Sequence, residues 1–395
     1  MKDYFFLENL TIVKTYPNRG LLLTKGRGVF LYDNKDNQYL DLGSNYGVNI
    51  LGYHHPILNK FLTEQINKLI NLHGSFSNET RAQAAYLIKK KTEELLGASY
   101  KVIFASSGSE AVDNAVKIGL YLSKRKKIIA FTDAYHGKTF LSVAITDSQK
   151  YKKGIPSLLE KYIVRVKFND IIDLERKFQN DVGVVVLELI QGDGGINIVD
   201  KLFVEKIFEI AKKKKAIVII DEIQTGIGRT GKFFASEFFK VTPEILLLGK
   251  GLAGGIPASA ILIKNNLADQ LYQGLQTSTF GGNPLAAAGI LAVFETINDK
   301  FLDNVNDTGY YFFNKLKKLR SKIIKNVRGK GLMIGVQVRE DLRDKILKEM
   351  QTNRIIALPA RNDVVRFLPP LILTKKILDQ HFEKIVKSFL KFDNV

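Results

Sequence analysis

The alternation of short apolar runs with amphipathic stretches is the feature that most constrains the fold of this chain. Five apolar runs are each followed by a small or polar residue, and they span residues 101–105, 128–131, 182–187, 216–220 and 245–248. Helical patterns with one apolar face lie between them, most clearly at 110–124 and 202–213. Strands and helices that alternate in this way are typical of a mostly parallel sheet covered by helices on both faces. We therefore predict an α/β fold.

The character of the sequence changes near residue 290. A lysine-rich helical stretch from 291 to 325 is followed by short β-like runs, and a last helix is predicted to begin at Lys375. We interpret residues 46–290 as a large domain that contains the parallel sheet, and residues 291–395 as a smaller α+β domain. Residues 1–45 are expected to pack against the smaller domain.

The composition excludes several classes of protein. The chain of 395 residues contains no cysteine, which excludes disulfide scaffolds, thiolate metal sites and cysteine nucleophiles. Because it has only five histidines, we also predict no metal centre. Apolar residues make up 45% of the chain, which excludes a disordered polycation despite a formal net charge of +19. That charge is typical of a lysine-rich solvated surface, or of a protein that binds nucleic acid, an anionic membrane or an acidic protein.

No segment of the sequence predicts export or membrane insertion. Asp3 and Glu8 interrupt the first apolar residues before the core of a signal peptide could form. No run approaches the roughly 20 apolar residues that a membrane-spanning helix needs. We expect a soluble, cytoplasmic protein.

Two charged residues follow predicted strands, at the positions where α/β sheets bind ligands just beyond the carboxyl ends of their strands. Asp221 closes one strand, and Lys250 follows the next. These side chains could form a simple ion pair at the edge of the sheet. Alternatively, Lys250 could form a Schiff base with an aldehyde cofactor while Asp221 pairs with a protonated pyridine nitrogen.

Residues after two other strands fit the remaining parts of such a cofactor, pyridoxal 5'-phosphate. Ser107, Gly108 and Ser109 stand between a strand and a helix, where hydroxyl groups and free backbone amides would face a phosphate. Tyr135 follows another strand and could stack on the pyridine ring. Each feature alone is equally typical of an ordinary helix cap or a loop aromatic. Together with Lys250 and Asp221, they indicate a cofactor site.

Ordered motifs make the chain, over about residues 16–371, similar to the class III, pyridoxal-phosphate-dependent aminotransferases of fold type I. The motifs lie at residues 107–111 (SGSEA), 135–139 (YHGKT), 221–231 (DEIQTGIGRTG), 250–252 (KGL), 278–286 (STFGGNPLA) and 366–371 (RFLPPL). Within that family they most resemble the acetylornithine aminotransferases. The resemblance implies a large domain with a mostly parallel sheet and a smaller α+β domain.

The resemblance also implies roles for individual residues at the cofactor. Lys250 is implied as the Schiff-base lysine and as the acid/base that moves the substrate proton, and Asp221 as the partner of the ring nitrogen. Gln224 is implied near the phenolic oxygen of the cofactor, and Tyr135 over its ring. The other implied cofactor-binding residues are Ser107, Gly108 and Ser109 around the phosphate, together with His136 and Glu188.

Further matches imply a second subunit and a substrate site. Thr279 matches the residue that the family contributes to the phosphate of the neighbouring subunit, which implies a homodimer with shared active sites. Arg366 resembles the family's carboxylate-binding arginine, whose planar guanidinium grips a carboxylate with two hydrogen bonds. Tyr16 and Tyr46 match aromatic positions at the substrate entrance.

Two residues differ from the family pattern at positions that affect which substrate is bound. Asp193 stands where the family usually has a glutamate, which in some members pairs with the carboxylate-binding arginine. Because its side chain is one methylene shorter, contact with Arg366 is not assumed. Lys138 replaces the usual arginine after His-Gly and keeps its charge but not its bidentate fork. That position contacts a distal substrate carboxylate in some members, so the resemblance leaves the amino donor open.

The implied activity is transfer of the ω-amino group of N-acetylornithine, or of a similar N-blocked ornithine or lysine, to 2-oxoglutarate, which yields the semialdehyde and glutamate. A close alternative is the same transfer from lysine or ornithine linked to a small acidic carrier protein. Further alternatives are a 4-aminobutyrate or ornithine aminotransferase, an aminomutase, and a protein that binds the cofactor without transaminase activity. Nucleic-acid binding rests on charge alone, since no recognition motif accompanies the basic runs at 124–127 and 212–215.

Overall fold

The computed structural model describes residues 4–154, 158–361 and 363–393. Across these residues, no helix combines the length and the apolar character that crossing a bilayer requires. The strands of the described chain are, in order, β1 (Leu23–Arg27), β2 (Phe30–Asp33), β3 (Gln38–Asp41), β4 (Tyr100–Ala105), β5 (Lys127–Phe131), β6 (Ile163–Val166), β7 (Val182–Leu187), β8 (Ile190–Gln191), β9 (Asn197–Ile198), β10 (Ile217–Asp221), β11 (Ile245–Leu248), β12 (Ser259–Lys264), β13 (Ile324–Lys330), β14 (Met333–Val338), β15 (Ile355–Ile356), β16 (Leu358–Ala360) and β17 (Val364–Phe367).

Helices connect and cover these strands. The α-helices are, in order, α1 (Tyr4–Thr11), α2 (Ser44–Gly47), α3 (Pro56–Ile66), α4 (Glu79–Leu96), α5 (Gly108–Ser123), α6 (Phe140–Ile145), α7 (Gln149–Lys152), α8 (Ile171–Lys177), α9 (Lys201–Lys214), α10 (Ser236–Phe239), α11 (Asn265–Ala268), α12 (Pro284–Thr296), α13 (Asp299–Lys317), α14 (Arg343–Thr352) and α15 (Lys375–Leu390). Two short 3₁₀ helices span Glu160–Tyr162 and Lys250–Ala253.

A seven-stranded sheet forms the centre of the described chain, in the order β4-β12-β11-β10-β7-β5-β6. β12 runs antiparallel to both of its neighbours, and the other adjacent pairs are parallel. The predicted α/β fold with a mostly parallel sheet is confirmed. Every residue of β7 and β10 is buried, which explains why these strands form continuous apolar runs in the sequence. β10 extends one residue beyond the predicted run and includes Asp221.

α5 carries the predicted serine motif at its first turn. The helix begins at Gly108, two residues before the predicted start, because the Ser107 hydroxyl caps it by accepting a hydrogen bond from Glu110 N at 3.3 Å. The Glu110 carboxylate accepts in return from Ser106 N at 2.8 Å. The helix ends where Lys124 adopts a left-handed backbone with φ 56°. Reciprocal capping therefore fixes the motif at the start of the helix.

The helical stretch predicted from 291 to 325 is wrong in its extent. It comprises the end of α12 followed by α13, which Asn298 caps by accepting a hydrogen bond from Phe301 N at 3.0 Å. α13 ends at Lys317, and β13 begins at Ile324 and pairs with β14. The lysine-rich composition continues past the end of the helix, because lysine side chains are also accommodated in the following loop and on a partly exposed strand.

The other sheets of the described chain are two of four strands, in the orders β13-β14-β17-β16 and β1-β2-β3-β15, and the short pair β8-β9. β3 and β15 are parallel, with Leu40 in register with Ile355, so strands from both ends of the chain share one sheet. The predicted last helix beginning at Lys375 is confirmed as α15. The domain boundaries near residues 45 and 290 stay predictions.

Arg229, in the loop after β10, ties three distant segments together. Its side chain is fully buried, and Nη1 donates to the carbonyls of Leu332 at 3.0 Å and Pro369 at 2.5 Å. Nη2 donates to the Ser44 hydroxyl at 3.3 Å, and that hydroxyl donates to the carbonyl of Leu368 at 2.6 Å. Burial lowers the pKa of Arg229 to about 9. The guanidinium thus holds the loop after β10 against the segments that precede β14 and follow β17.

We predict that Arg229→Lys lowers the free energy of unfolding, because one ammonium group cannot bond both carbonyls and the hydroxyl. A buried polar group left without a partner costs about 1–3 kcal/mol. The measurement is the apparent thermal midpoint followed by circular dichroism, with Arg320→Lys as the control at an exposed arginine. Equal midpoints for the two variants would contradict the role given to Arg229.

Candidate functional site

The candidate site lies at the carboxyl edge of the central sheet, where β11, β10, β7 and β5 end side by side. Asp221 at the end of β10 is in register with Leu247 of β11, and Lys250 begins the 3₁₀ helix just after that strand. Glu188 follows β7, and the chain after β5 leads to Tyr135. Because these strands are parallel, their carboxyl ends bring the four predicted residues to one edge, as the sequence pattern predicts.

Asp221 is fixed by two hydrogen bonds. Its Oδ2 lies 2.8 Å from His136 Nδ1, and both side chains are almost fully buried. Its Oδ1 accepts from Ile223 N at 3.0 Å. Within the described chain, His136 Nε2 has no hydrogen-bond partner although it is buried. The carboxylate oxygens keep lone pairs that can accept from a further donor.

Lys250 presents an unpaired amine to this cleft. The side chain is half-buried, and its Nζ makes no hydrogen bond to any residue that the structure describes. Burial, and secondly the positive charge of Arg366, lower the pKa of Lys250 to about 8, although Asp221 and Glu188 favour the charged form. A fraction of the amine is therefore uncharged near neutral pH, which is the form that acts as a nucleophile or base.

Glu188 joins two loops beneath the site. Its Oε2 accepts from Tyr135 N at 2.9 Å and its Oε1 accepts from Gly192 N at 3.1 Å. Burial raises the pKa of Glu188 to about 7, with His136 opposing the shift and Asp221 adding to it. The side chain thus positions the backbone on both sides of the cleft.

The start of α5 forms an anion-binding geometry. The backbone amides of Gly108 and Ser109 make no hydrogen bond within the described chain, as the first amides of a helix commonly do not. Ser109 Oγ accepts from Lys138 N at 3.2 Å. Gly137 has φ 137°, and a Cβ there would lie 2.2 Å from Ser109 Oγ, so only glycine fits. Free amides at the positive end of a 16-residue helix favour a bound anion.

Arg366 of β17 reaches the cleft from the β13-β14-β17-β16 sheet and is only 2% exposed. Its Nη1 donates to Gln224 Oε1 at 3.2 Å and its Nη2 donates to the carbonyl of Pro359 at 2.9 Å. Its buried Nε lacks a partner in the described chain. Burial lowers the pKa of Arg366, with Asp193 opposing the shift. A Cβ at Gly192 would lie 2.0 Å from Gln224 Oε1, so this glycine makes room for the Gln224 amide.

The short side chain of Asp193 does reach Arg366. Its Oδ1 lies 3.5 Å from Arg366 Nη2, as an ion pair without a hydrogen bond, and the side chain is 34% exposed. The guanidinium also lies over the Tyr46 ring, with its carbon 5.7 Å from the ring centre. Arg361 N donates to the Asp193 carbonyl at 3.0 Å and holds this segment in place.

An aromatic cluster that the sequence analysis missed forms one wall. Tyr151 of α7 meets Tyr135 edge-on, with ring centres 5.9 Å apart, and Lys138 Nζ lies 4.4 Å from the centre of the Tyr151 ring. Burial raises the pKa of Tyr135 to about 12. No local pattern marks Tyr151, because only folding brings its four-residue helix beside the loop after β5.

Two predicted residues stand apart from these contacts. Tyr16 is 81% exposed and Thr279 is exposed, and neither makes a hydrogen bond within the described chain. Tyr16 lies close enough to contribute to the raised pKa of Tyr135. Beside Thr279, Ser278 Oγ donates to Glu110 at 2.7 Å, which anchors that loop near the first turn of α5.

Known proteins resemble this chain in both sequence and structure. The family model for aminotransferase class-III matches residues 12–389. The acetylornithine aminotransferase of Aquifex aeolicus is 37% identical over 375 residues, which cover 93% of this chain and 97% of that protein. The LysW-aminoadipate semialdehyde/glutamate semialdehyde transaminase of Sulfolobus acidocaldarius is 33% identical over 388 residues, or 98% of this chain and 99% of that protein. The crystal structure of the acetylornithine aminotransferase from Elizabethkingia anophelis superposes with a TM-score of 0.85 at 31% identity, covering 98% of each chain.

We predict that the Lys250 amine titrates near pH 8 in the cofactor-free protein, because burial and Arg366 disfavour its charged form. Trace acetylation with acetic anhydride at a series of pH values, read by mass spectrometry of the peptides, measures the uncharged fraction. Lys250 should reach half of its maximal labelling about two pH units below surface lysines, whose ordinary pKa is about 10.4. Arg366→Gln should raise the Lys250 midpoint. A midpoint shared by Lys250 and the surface lysines would disprove the proposed environment.

Proposed function

Because the chain belongs to the class-III aminotransferase family, we propose that it transfers the ω-amino group of N-acetylornithine, or of a similar N-blocked ornithine or lysine, to 2-oxoglutarate. The observation that carries this proposal is the unpaired Lys250 amine, which shares one cleft with Asp221 and Arg366. The names of the acetylornithine aminotransferase relatives support N-acetylornithine as the amino donor. The products would be the semialdehyde and glutamate.

Class-III aminotransferases use pyridoxal phosphate, and the residues at the sheet edge fit that cofactor. The Lys250 amine has no partner and would hold the aldehyde carbon. Asp221 is buried and has lone pairs left for the pyridine nitrogen. The unpaired amides of Gly108 and Ser109, together with the Ser107 hydroxyl, would hold the phosphate.

When bound, the cofactor supplies an electron sink for the charge left on the substrate carbon after its proton is removed. Lys250, with a pKa near 8, would take that proton and deliver it to the former aldehyde carbon of the cofactor. Asp221, held by His136, would keep the pyridine nitrogen protonated. Tyr135 and Gln224 would orient the ring from its face and from its phenolic side.

Arg366 would bind a carboxylate of glutamate or 2-oxoglutarate, because a guanidinium fork matches a carboxylate. Asp193 would neutralise Arg366 while the ω-amino donor reacts, since the two already form an ion pair at 3.5 Å. That pair has no hydrogen bond to break, so an incoming carboxylate would displace Asp193 at little cost. Tyr46 would limit the space over the guanidinium.

We also propose that two copies of the chain form a homodimer with shared sites. Thr279 makes no hydrogen bond within the described chain, and it is exposed on a loop that also exposes Phe280 and Tyr272. Large exposed aromatic residues on one loop are typical of an interface. Thr279 would then reach the phosphate of the partner subunit.

A second candidate donor is lysine or ornithine linked to an acidic carrier protein. The LysW-related name of the relative from Sulfolobus acidocaldarius and the net charge of +19 favour it. Basic residues near the cleft, including Lys138, Lys150 and Arg343, would attract an acidic partner. The basic runs at 124–127 and 212–215 do not serve this purpose, because they lie at the opposite, amino edge of the sheet, where β5 and β10 begin.

We predict that the highest kcat/KM in a donor panel with 2-oxoglutarate belongs to N-acetylornithine, ahead of ornithine, 4-aminobutyrate and carrier-linked lysine. Lys250→Ala should keep the far-ultraviolet circular dichroism of the wild type and lose at least about a thousandfold in rate, because the proton-transferring amine is gone. Lys213→Ala, at an exposed lysine, is the matched control. Glutamate formation and consumption are measured in a coupled assay.

Each alternative function predicts a different experimental result. Dominant activity with 4-aminobutyrate would overturn the donor and leave the chemistry intact. A Lys250→Ala variant with near-wild-type turnover would overturn the assignment of the site. In an aminotransferase, glutamate changes the absorbance of the bound cofactor and 2-oxoglutarate restores it. If neither response occurs, the protein is an aminomutase or binds the cofactor without transaminase activity.

The carrier alternative makes a separate prediction about salt. Turnover of the carrier-linked donor should fall steeply as ionic strength rises, because screening weakens the attraction between a basic enzyme and an acidic protein. Turnover of free N-acetylornithine should change little. If both donors respond alike in initial-rate measurements, the excess lysines do not guide a carrier.

A further inference from the structure

A cavity of about 690 Å³ lies apart from the candidate site. Its walls come from one face of α5, from the loop between α5 and β5, from the start of α6 and from the residues around the first 3₁₀ helix. None of the residues described for the candidate site lines it. Its volume is in the usual range for sites that bind small molecules. This cavity, called here the apolar pocket, is therefore a candidate site for a second ligand.

The lining of the apolar pocket suits a flat, mostly apolar group. Two aromatic side chains, Phe140 and Tyr162, stand in its wall, and an aromatic ring of a ligand can stack on either of them. The aliphatic part of the wall consists of Leu120, Ile128, Leu141, Leu159 and Ile163. Contact with these side chains would remove a flat ring from water, which is favourable.

Asn114 places an unpaired amide in this wall. The residue is only 8% exposed, and its side chain makes no hydrogen bond to any residue that the structure describes. Two charged neighbours in the wall are already bonded: Asp113 Oδ1 accepts from Ser142 N at 2.7 Å. Lys117 Nζ donates to the carbonyl of Leu275 at 2.9 Å. Because buried amides are nearly always hydrogen-bonded, the free amide of Asn114 indicates a ligand that offers it an acceptor and a donor.

A second cavity, of about 470 Å³, adjoins the apolar pocket, since Arg125, Lys126 and Tyr162 line both. One acidic residue, Asp181, lines this second cavity, and it is already paired with Lys127 at 2.8 Å. The basic residues of the lining are Lys124, Arg125, Lys126, Lys127 and Lys161. The cavity is called here the basic pocket, because its lining carries an excess of positive charge.

Three of these lysines have no carboxylate partner within the described chain. Lys126 is exposed and forms no ion pair there. The amines of Lys124 and Lys161 lie over aromatic rings, 3.9 and 5.1 Å from the ring centres. Glu160, beside Lys161 in the sequence, is paired instead with Lys152 at 3.1 Å. Lysine amines that lack carboxylate partners are available to bind phosphate groups.

We propose that the apolar pocket and the basic pocket together bind an adenine nucleotide. The base would occupy the apolar pocket, with its edge on the Asn114 amide. The phosphates would occupy the basic pocket and contact Lys124, Lys126 and Lys161. Because this site is separate from the candidate active site, the inference does not rest on the proposed function.

The free amide of Asn114 favours adenine over other anionic ligands. The amino group and the adjacent ring nitrogen of adenine present a donor and an acceptor side by side, and an asparagine amide can bond both at once. Guanine presents two acceptors at the same edge, one of which would face the amide oxygen. A fatty acid could place its carboxylate on the lysines, but its chain would leave the amide unpaired.

Calorimetric titration of the full-length holoenzyme with magnesium-free nucleotides tests the proposal. Bound pyridoxal phosphate fills the phosphate site at the start of α5, so nucleotide phosphates cannot bind there. We expect one ATP per chain, with the affinity decreasing from ATP to ADP to AMP as negative charges are removed. GTP should bind about tenfold more weakly than ATP, because a bidentate contact to the base is lost. Adenosine and inorganic triphosphate each lack one part of the ligand and should also bind more weakly than ATP.

A variant of the amide tests recognition of the base. Asn114→Ala should raise the Kd of ATP about tenfold and remove the preference for ATP over GTP, since the donor and the acceptor are both gone. Asn304→Ala is the matched control, because Asn304 is an exposed asparagine of α13 that lines neither pocket. It should leave the Kd of both nucleotides unchanged.

A variant of the lysines tests recognition of the phosphates. The combined change Lys124→Gln, Lys126→Gln and Lys161→Gln should raise the Kd of ATP about tenfold or more, and change the Kd of adenosine less than about twofold. The control removes the same charge from exposed lysines of α14 and α15, by glutamine at positions Lys345, Lys348 and Lys376. This control should change neither Kd by more than about twofold.

Three results would overturn the proposal. Absence of saturable ATP binding to the wild type would show that the pockets do not hold a nucleotide. Equal Kd values of the wild type for ATP, GTP and inorganic triphosphate would show attraction by charge alone, and this comparison needs no variant that folds. An unchanged Kd of ATP in an Asn114→Ala variant with wild-type circular dichroism would exclude the amide from the site. The proposed transamination stands or fails separately, because it is measured with amino donors.

Discussion

Buried charge at the carboxyl edge of the central sheet is the constraint on which the rest of the structure depends. Removing an ionised group from water is costly unless hydrogen bonds replace its hydration. Asp221 is held by His136 and a backbone amide, and Glu188 by two amides from different loops. Arg366 is held by Gln224 and by the carbonyl of Pro359 in β16. The loops that supply these partners therefore cannot move independently of the strands.

The same burial explains the chemistry that the cleft can perform. Burial and the positive charge of Arg366 disfavour the charged form of Lys250, and burial lowers the pKa of Arg366 itself. A guanidinium releases its proton far less readily than an ammonium, so Lys250 is the group that becomes uncharged. The Asp193 carboxylate lies close to Arg366 and partly offsets its positive charge. Because Asp193 is also partly exposed, a substrate carboxylate could displace it.

Individual residues show which features of the fold and of the candidate site were predictable from the sequence alone. Asp221 and Lys250 were predictable because each follows a buried apolar run, and parallel strands end at the same edge of a sheet. The start of α5 was misplaced by two residues, since the Ser107 cap lies before the amphipathic pattern that marks the helix. The contact between Asp193 and Arg366 was not predictable, because one methylene decides whether the pair forms and the backbone positions decide whether that methylene matters. No local pattern marks Tyr151, which folding brings beside Tyr135.

The sequence by itself determined the α/β architecture, the strand-end positions of Asp221 and Lys250, and the serine motif at a helix start, because hydrophobic periodicity and capping chemistry act over a few residues. The tertiary structure alone decided which distant side chains meet. It placed Gln224 against Arg366 and brought Asp193 within ion-pair distance of the same guanidinium. Such contacts depend on how separate sheets pack against each other, and differences of an ångström in that packing are not encoded in any local pattern of residues.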